Sequence, residues 1–503
     1  MATRSFLFER PVPNSDACIF IGRATGGYEL PAKPWRALLW IVDAAGAAGP
    51  APFPAGSVTL LPVDRCDAAQ LEAAVENFLT KSPRHLPSIY VTRDIPPEQE
   101  SHFLKAVDVV VAGVEFQHRA RVTRQQDGFP WQRNLFENAL AYATRRLPDA
   151  WAGALAGMPA FICGAGPSLD VSVEALRRVM GDGVVFAADS SLRRIGGAVD
   201  FAVSVDVRKF PGKCLPGKGG PERVILSVNS PPEWLEAIRE ERRFYVSSNQ
   251  LTLDWMAGMG IVRTKPGVCE NCGSTAIEVA RFMGCAPICL FGMDLALNEE
   301  GRRHHKEVEA SIYEKPKFEA EREFPRVPGN FAVEVPTHVI GDWRTLDRRL
   351  AGWPEGLVWV VTDRGAKLSN TRVVRPEEFV LPGGGRGKQA RLEALPKVAA
   401  PPREAMRRVG EKFGQFGGRL LEWAPSLRKT LETGGAPALA ASLRSMFATP
   451  ENGQILGAYA LKLMPHLLPP VEEGGTDWGG IIGELEQLGA GAVEAARRFR
   501  RAL

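Results

Sequence analysis

Between residues 155 and 380 the sequence alternates short apolar runs with helical stretches, and this rhythm restricts the chain more than any other feature. The runs are Ala160–Cys163, Val184–Ala188, Phe201–Val205, Val224–Val228, Phe244–Val246, Pro287–Phe291 and Leu357–Val361, with at most one polar residue in each. A strand lacking a polar face is buried on both sides, as parallel sheets are and half-solvated antiparallel sheets are not. Alternation with helices therefore predicts an α/β fold whose central domain is Rossmann-like, with a mostly parallel sheet covered on both faces. The stretch 296–345, rich in charge, glycine and proline, interrupts the rhythm and reads as an insertion or lid.

The flanks differ in pattern. An N-terminal α/β domain is expected over 1–150, with strands at Cys18–Ile21, Ala37–Val42, Val58–Val63, Ile89–Val91 and Val109–Val111. Gly22-Arg23-Ala24-Thr25-Gly26-Gly27 follows a strand but opens no amphipathic helix, so it reads as a turn. Phe129 to Asn138 reads as the opening of a helix leading to the central domain, placed at 151–380. A linker is expected over 381–402, where Pro382-Gly383-Gly384-Gly385-Arg386-Gly387-Lys388 is too glycine-rich to pack. Beyond it, 403–503 reads as an all-α C-terminal domain with helices near 404–433, 437–449, 453–468 and 477–502.

Composition removes several classes of partner. Sixty-two basic against 58 acidic residues leave a net charge of +4, too little to draw nucleic acid. No apolar run approaches the ~20 residues that cross a bilayer. The start, Met1-Ala2-Thr3-Arg4-Ser5, has no export signal pattern, so a cytoplasmic location is expected. Cys269-x2-Cys272 and Cys285-x3-Cys289 come near a zinc spacing, but Cys289 falls inside a strand. These cysteines read as core thiols, and no metal is expected.

In open α/β sheets ligands lie beyond the carboxyl ends of the strands. Successive strand ends here carry Gly164-Ala165-Gly166-Pro167-Ser168, then Asp189-Ser190-Ser191, Asp206, Asn229-Ser230, Ser247-Ser248-Asn249 and Gly292-Met293-Asp294. Helix capping explains some of these residues, but not three aspartates together with a glycine pair. Gly164 and Gly166 permit close approach of a ligand to backbone N–H groups, and Pro167 suits a first helical position. The turn with Ser168 then resembles an anion site at a helix N-terminus. Leu169 stands where a dinucleotide fingerprint needs its third glycine, which disfavours NAD and FAD. Gly273, Ser274 and Thr275 open a second helix and suit either an anion or a cap. His304 and His305 lie in the charged insertion with Tyr313. They read either as solvated imidazoles or as a general base with a pKa near neutrality.

These residues carry a resemblance. Gly164-Ala165-Gly166-Pro167-Ser168-Leu169-Asp170, Ala188-Asp189-Ser190-Ser191-Leu192-Arg193 and Val199-Asp200-Phe201-Ala202-Val203-Ser204-Val205-Asp206 follow in order. Gly273-Ser274-Thr275-Ala276, Gly292-Met293-Asp294-Leu295-Ala296 and Gly301-Arg302-Arg303-His304 continue the series. Together they resemble the motility accessory factor (Maf) family and the wider superfamily of MptE-like 6-hydroxymethylpterin diphosphokinases. The resemblance covers about 155–375 well and the helical end only by layout. Met293 and Leu297 depart from it, standing where relatives often carry Gln and an aromatic residue.

The resemblance implies a sialyltransferase-like central domain and an inverting glycosyltransferase. Such an enzyme moves a nonulosonic acid, pseudaminic or legionaminic in type, from a CMP-activated donor to Ser or Thr of flagellin. His304 and Asp294 would be catalytic, with His304 the base. Gly164, Gly166, Pro167, Ser168, Asp189, Ser190, Asp206, Asn229, Ser247, Gly273, Ser274 and Thr275 would hold the donor, without a cofactor. The alternative is a pterin diphosphokinase using ATP, with Mg²⁺ held by Asp189, Asp206 and Asp294. A third reading is a nucleotide-binding flagellin assembly factor without catalysis.

Overall fold

The computed structural model describes residues 6–12, 15–23, 35–48, 55–80, 85–196, 199–216, 220–311, 324–381, 387–399, 401–468 and 476–503. The chain forms two compact units. One comprises Met1–Gly128, Thr433–Ser445 and Tyr459–Thr476; the other comprises Phe129–Glu432, Met446–Ala458 and Asp477–Leu503. Compactness thus groups the chain differently from the composition-based division at 150, 380 and 402, and it assigns the C-terminal helices to both units.

The first unit holds a five-stranded sheet of β1 (Phe8–Arg10), β2 (Ala17–Ile21), β3 (Trp35–Val42), β4 (Ala55–Pro62) and β5 (Ser88–Val91). Its order is β1-β5-β2-β3-β4, parallel except for β1. Val109–Val111, expected as a strand, lies instead within the helix Glu100–Arg145. Phe103, Ala106, Val110 and Val114, spaced three and four apart, are buried together against the sheet core. That helical period outweighs the β preference of three adjacent valines. Phe129–Asn138 also continues this helix rather than opening one, with Pro130 inside it.

The second unit is built on β6 (Ala160–Cys163), β7 (Val184–Ala188), β8 (Phe201–Ser204), β9 (Arg223–Ser227), β10 (Arg243–Val246) and β11 (Ile288–Phe291). The hairpin β12 (Arg326–Pro328) and β13 (Glu334–Pro336) stands apart, and β14 (Val358–Val361) and β15 (Thr371–Val374) complete the large sheet. Its order is β10-β9-β8-β7-β6-β11-β14-β15, parallel throughout. β6, β7, β11 and β14 are wholly buried, as their apolar sequences require. Phe186 and Phe201 stack at 4.8 Å, and Trp151 packs against Phe201 and Phe244. Each such side chain contributes about 1.5–3 kcal/mol through burial.

The C-terminal helices Arg403–Phe447, Pro450–Ile455, Gly457–Leu467 and Trp478–Arg501 form the expected helical region. Gly435, at φ 67°, breaks the first of them, where the sequence reading ends one helix at 433. Within the second unit, Phe413 packs on Phe136, Trp255 and Phe499. Among the described residues no helix is long and apolar enough to cross a membrane.

Candidate active site

Chain order in the large sheet runs outward from β6 to β10, then reverses to β11 on the other side of β6. The carboxyl ends of β6 and β11 therefore flank the switch point, the crevice where doubly wound sheets take ligands. The two turns that meet there are Gly164–Ser168 and Gly292–Asp294.

They meet closely, backbone against backbone. Gly166 donates its amide to the Gly292 carbonyl at 2.7 Å, and Gly164 donates to Phe291 at 2.8 Å. A Cβ on Gly166 would collide with the Asp294 carboxylate, and one on Gly164 with the Gly292 carbonyl. Asp294 Oδ2 accepts the Ser168 amide at 2.7 Å, and the Ser168 hydroxyl lies beside the same carboxylate. Asp294 thus takes the anion's place at the start of the helix Leu169–Val179. Its own carbonyl accepts from Ala366. Burial pushes its pKa up, opposed by the bonds from Ser168. The glycine turn, expected to hold a donor phosphate, holds the chain's own carboxylate. Asp294, expected to be catalytic, is a structural cap.

The second helix start is also capped internally. The Asn271 side chain accepts the Ser274 amide at 2.9 Å, and Thr275 Oγ1 bridges the Asn271 carbonyl and the Cys269 amide. Gly273 lies against the Met293 sulfur. Ser247, at the end of β10, is bound by Tyr142 and Thr264. Asn229, at the end of β9, accepts from Asn134 through its carbonyl and from Gln250 through its side chain. Both positions serve the framework.

The ends of β7 and β8 are different in kind. Asp189 is buried, accepting from the Ser190 amide and hydroxyl, from Ser204 Oγ at 2.8 Å and from the Cys272 thiol at 3.5 Å. Burial raises its pKa, the nearby Lys209 opposes the rise and Asp206 adds to it. Burial and Asp189 likewise hold the Cys272 thiol protonated, which suits it to donate. Asp206 is exposed and accepts the Arg208 amide at 2.7 Å. A small cleft opens beside Asp189 and Ser190, lined also by Arg193, Lys213 and His305.

The insertion after Asp294 folds over this cleft. His305 is fully buried, its Nε2 3.1 Å from the Ser190 carbonyl and its amide bonded to the Ala165 carbonyl. His304 is half-buried, with Lys209, His338 and Arg303 as electrostatic neighbours. Burial first, then these cations, pushes its imidazole down to about 3 rather than leaving it near neutrality. Neither histidine is a solvated imidazole. Tyr313 lies outside the described residues. Lys209 and His338 escaped the sequence reading because they sit on loops with no motif, and Arg303, though within the Gly301–His304 motif, was given no role there; only the fold gathers them.

Comparison with known proteins agrees with this architecture. Residues 132–300 match the family model described as 6-hydroxymethylpterin diphosphokinase MptE-like. Among solved structures, a Maf glycosyltransferase from Magnetospirillum magneticum AMB-1 is similar at 14% identity and a TM-score of 0.55. That likeness covers 96% of this chain and 78% of the other. A search of curated protein sequences returns no match. Residues 132–300 thus match the MptE-like family model, and the fold of the chain is similar to that of a Maf glycosyltransferase.

Proposed function

We propose that the protein is an inverting glycosyltransferase that moves a nonulosonic acid from a CMP-activated donor to Ser or Thr of flagellin. The observation that carries this reading is that Lys209 neighbours both Asp189 and His304, with Arg303 and His338 also beside His304, at the carboxyl ends of a glycosyltransferase-like sheet. Lys209 and Arg303 supply positive charge for the donor's phosphate, and Ser190 and Asp206 border the same end of the sheet. The acceptor hydroxyl attacks the anomeric carbon as its bond to the phosphate oxygen breaks. CMP departs with that electron pair, and His304 takes the hydroxyl proton. Without ligand His304 is a weak base, because burial and cations disfavour its charged form. A bound phosphate reverses the local field and raises its basicity when the donor is in place. No cofactor enters this scheme, and flagellin would be met in the cytoplasm before export.

The MptE-like match gives the diphosphokinase reading its own support. That chemistry needs carboxylates converging on Mg²⁺. Asp189 and Asp294 instead accept bonds from protein donors, and Asp206 stands on an exposed turn. The donor set fits Mg²⁺ poorly, which favours sugar transfer.

Calorimetry separates the two. CMP should bind in EDTA, whereas ATP binding that requires Mg²⁺, with no response to CMP, would replace this proposal with the diphosphokinase.

A further inference from the structure

We propose that Met293 is a displaceable plug over the cradle that receives the donor's phosphate; this rests on the glycosyltransferase reading above. A Cβ on Gly164 would come within 2.6 Å of the Met293 sulfur, and a Cβ on Gly273 would overlap it. The thioether therefore lies against both glycines, bridging the turn after β6 and the first turn of the helix Cys272–Phe282. It is 7% exposed, so it closes this part of the switch-point crevice. The space adjoins the Asp189 cluster directly, because Cys272 donates its thiol to Asp189.

The two residues after Gly292 fill space in opposite ways. Asp294 is fixed by hydrogen bonds from Ser168 and Ala366. Met293 has a flexible, unbranched side chain held by packing alone, the kind that repacks readily. Ser274, next to Gly273, has a fully buried hydroxyl with no hydrogen-bond partner among the described residues. A polar group left in that condition is destabilising until a ligand or water meets it. Two glycines and an unmet hydroxyl beside them describe a cradle for a phosphate-bearing anion, with the thioether lying where the anion would sit.

A protein whose competent state is only partly populated binds with an affinity reduced by that fraction. Met293→Ala should therefore tighten CMP binding, measured by calorimetry in EDTA, by about threefold to tenfold. In the wild type with ¹³C-methyl methionine, the Met293 resonance (assigned by its absence from Met293→Leu) should move on saturation with CMP. That second measurement stands even if Met293→Ala fails to fold. CMP binding that leaves this resonance in place, or equal affinities in wild type and Met293→Ala, would overturn the plug and leave the donor reading intact. A gain for ATP but not CMP in Met293→Ala would keep the plug and overturn the donor reading. Failure of either protein to bind any nucleotide would overturn both.

Discussion

The turn at the end of β6 and the turn at the end of β7 look equally functional in sequence, yet they do opposite things. At β6, the backbone amides of Gly166 and Ser168 are taken by the Gly292 carbonyl and the Asp294 carboxylate. At β7, Asp189 draws in Ser190, Ser204 and Cys272, and Lys209 and Asp206 from the loop after β8 lie beside it. Glycine beside a buried aspartate can mean that the chain supplies its own anion. Cations gathered near a buried aspartate create a field that an external anion can answer.

The largest expected effect breaks the first turn. Gly166→Val places a side chain on the Asp294 carboxylate, so it should cost more than about 3 kcal/mol and abolish cooperative folding of the second unit in urea. Loss of CMP binding in that variant would say nothing about a phosphate site. Gly181→Ala, which meets nothing within 4 Å, should stay within about 0.5 kcal/mol of wild type.

His304→Ala touches the second turn and should lower sugar transfer by ~10²–10⁴-fold while CMP affinity changes little. Unchanged transfer in a folded His304→Ala protein would remove the base from this loop. His305→Ala should behave differently, because His305 joins the insertion to Ser190 and Ala165. Losing a buried hydrogen bond should destabilise the protein by about 1–3 kcal/mol in chemical denaturation, more than His304→Ala does.

The smallest effect is on pH dependence. His304 has a folded pKa of about 3, below its ordinary value of 6.5. A depressed pKa means the unfolded chain binds the proton first, so this contribution is intact above 6.5 and is lost as pH falls from there toward 3. Between pH 6.5 and 5, wild type should lose stability faster than His304→Gln, by up to about 1.4 kcal/mol per pH unit. Parallel curves would place His304 in a more solvated setting. Asp189 and Asp294, with raised pKa values, act in the opposite sense and are common to both proteins.

How much of this was legible follows from what each residue answers to. β6 and β7 fall where apolar runs placed them, because burial on both faces leaves an unbroken signature. β15 was missed because Thr371–Val374 is a half-exposed edge strand with an arginine in four residues. The valines at 109–111 misled because their helical partners lie three and four residues away. Asp189 and Ser190 were legible as strand-end polar residues. Lys209 and His338 were not, since nothing local marks a loop cation that matters only once β8 and the insertion lie side by side. Nor can a glycine in sequence disclose whether it makes room for a ligand or for Asp294.

The most direct measurement is the intact mass of purified flagellin after incubation with the protein, a CMP-activated nonulosonic acid and EDTA. The account predicts a mass increase of one or more sugar residues, with CMP released in step and both reduced together in His304→Ala. Unmodified flagellin, alongside Mg²⁺-dependent release of AMP from ATP in the presence of 6-hydroxymethylpterin, would contradict it.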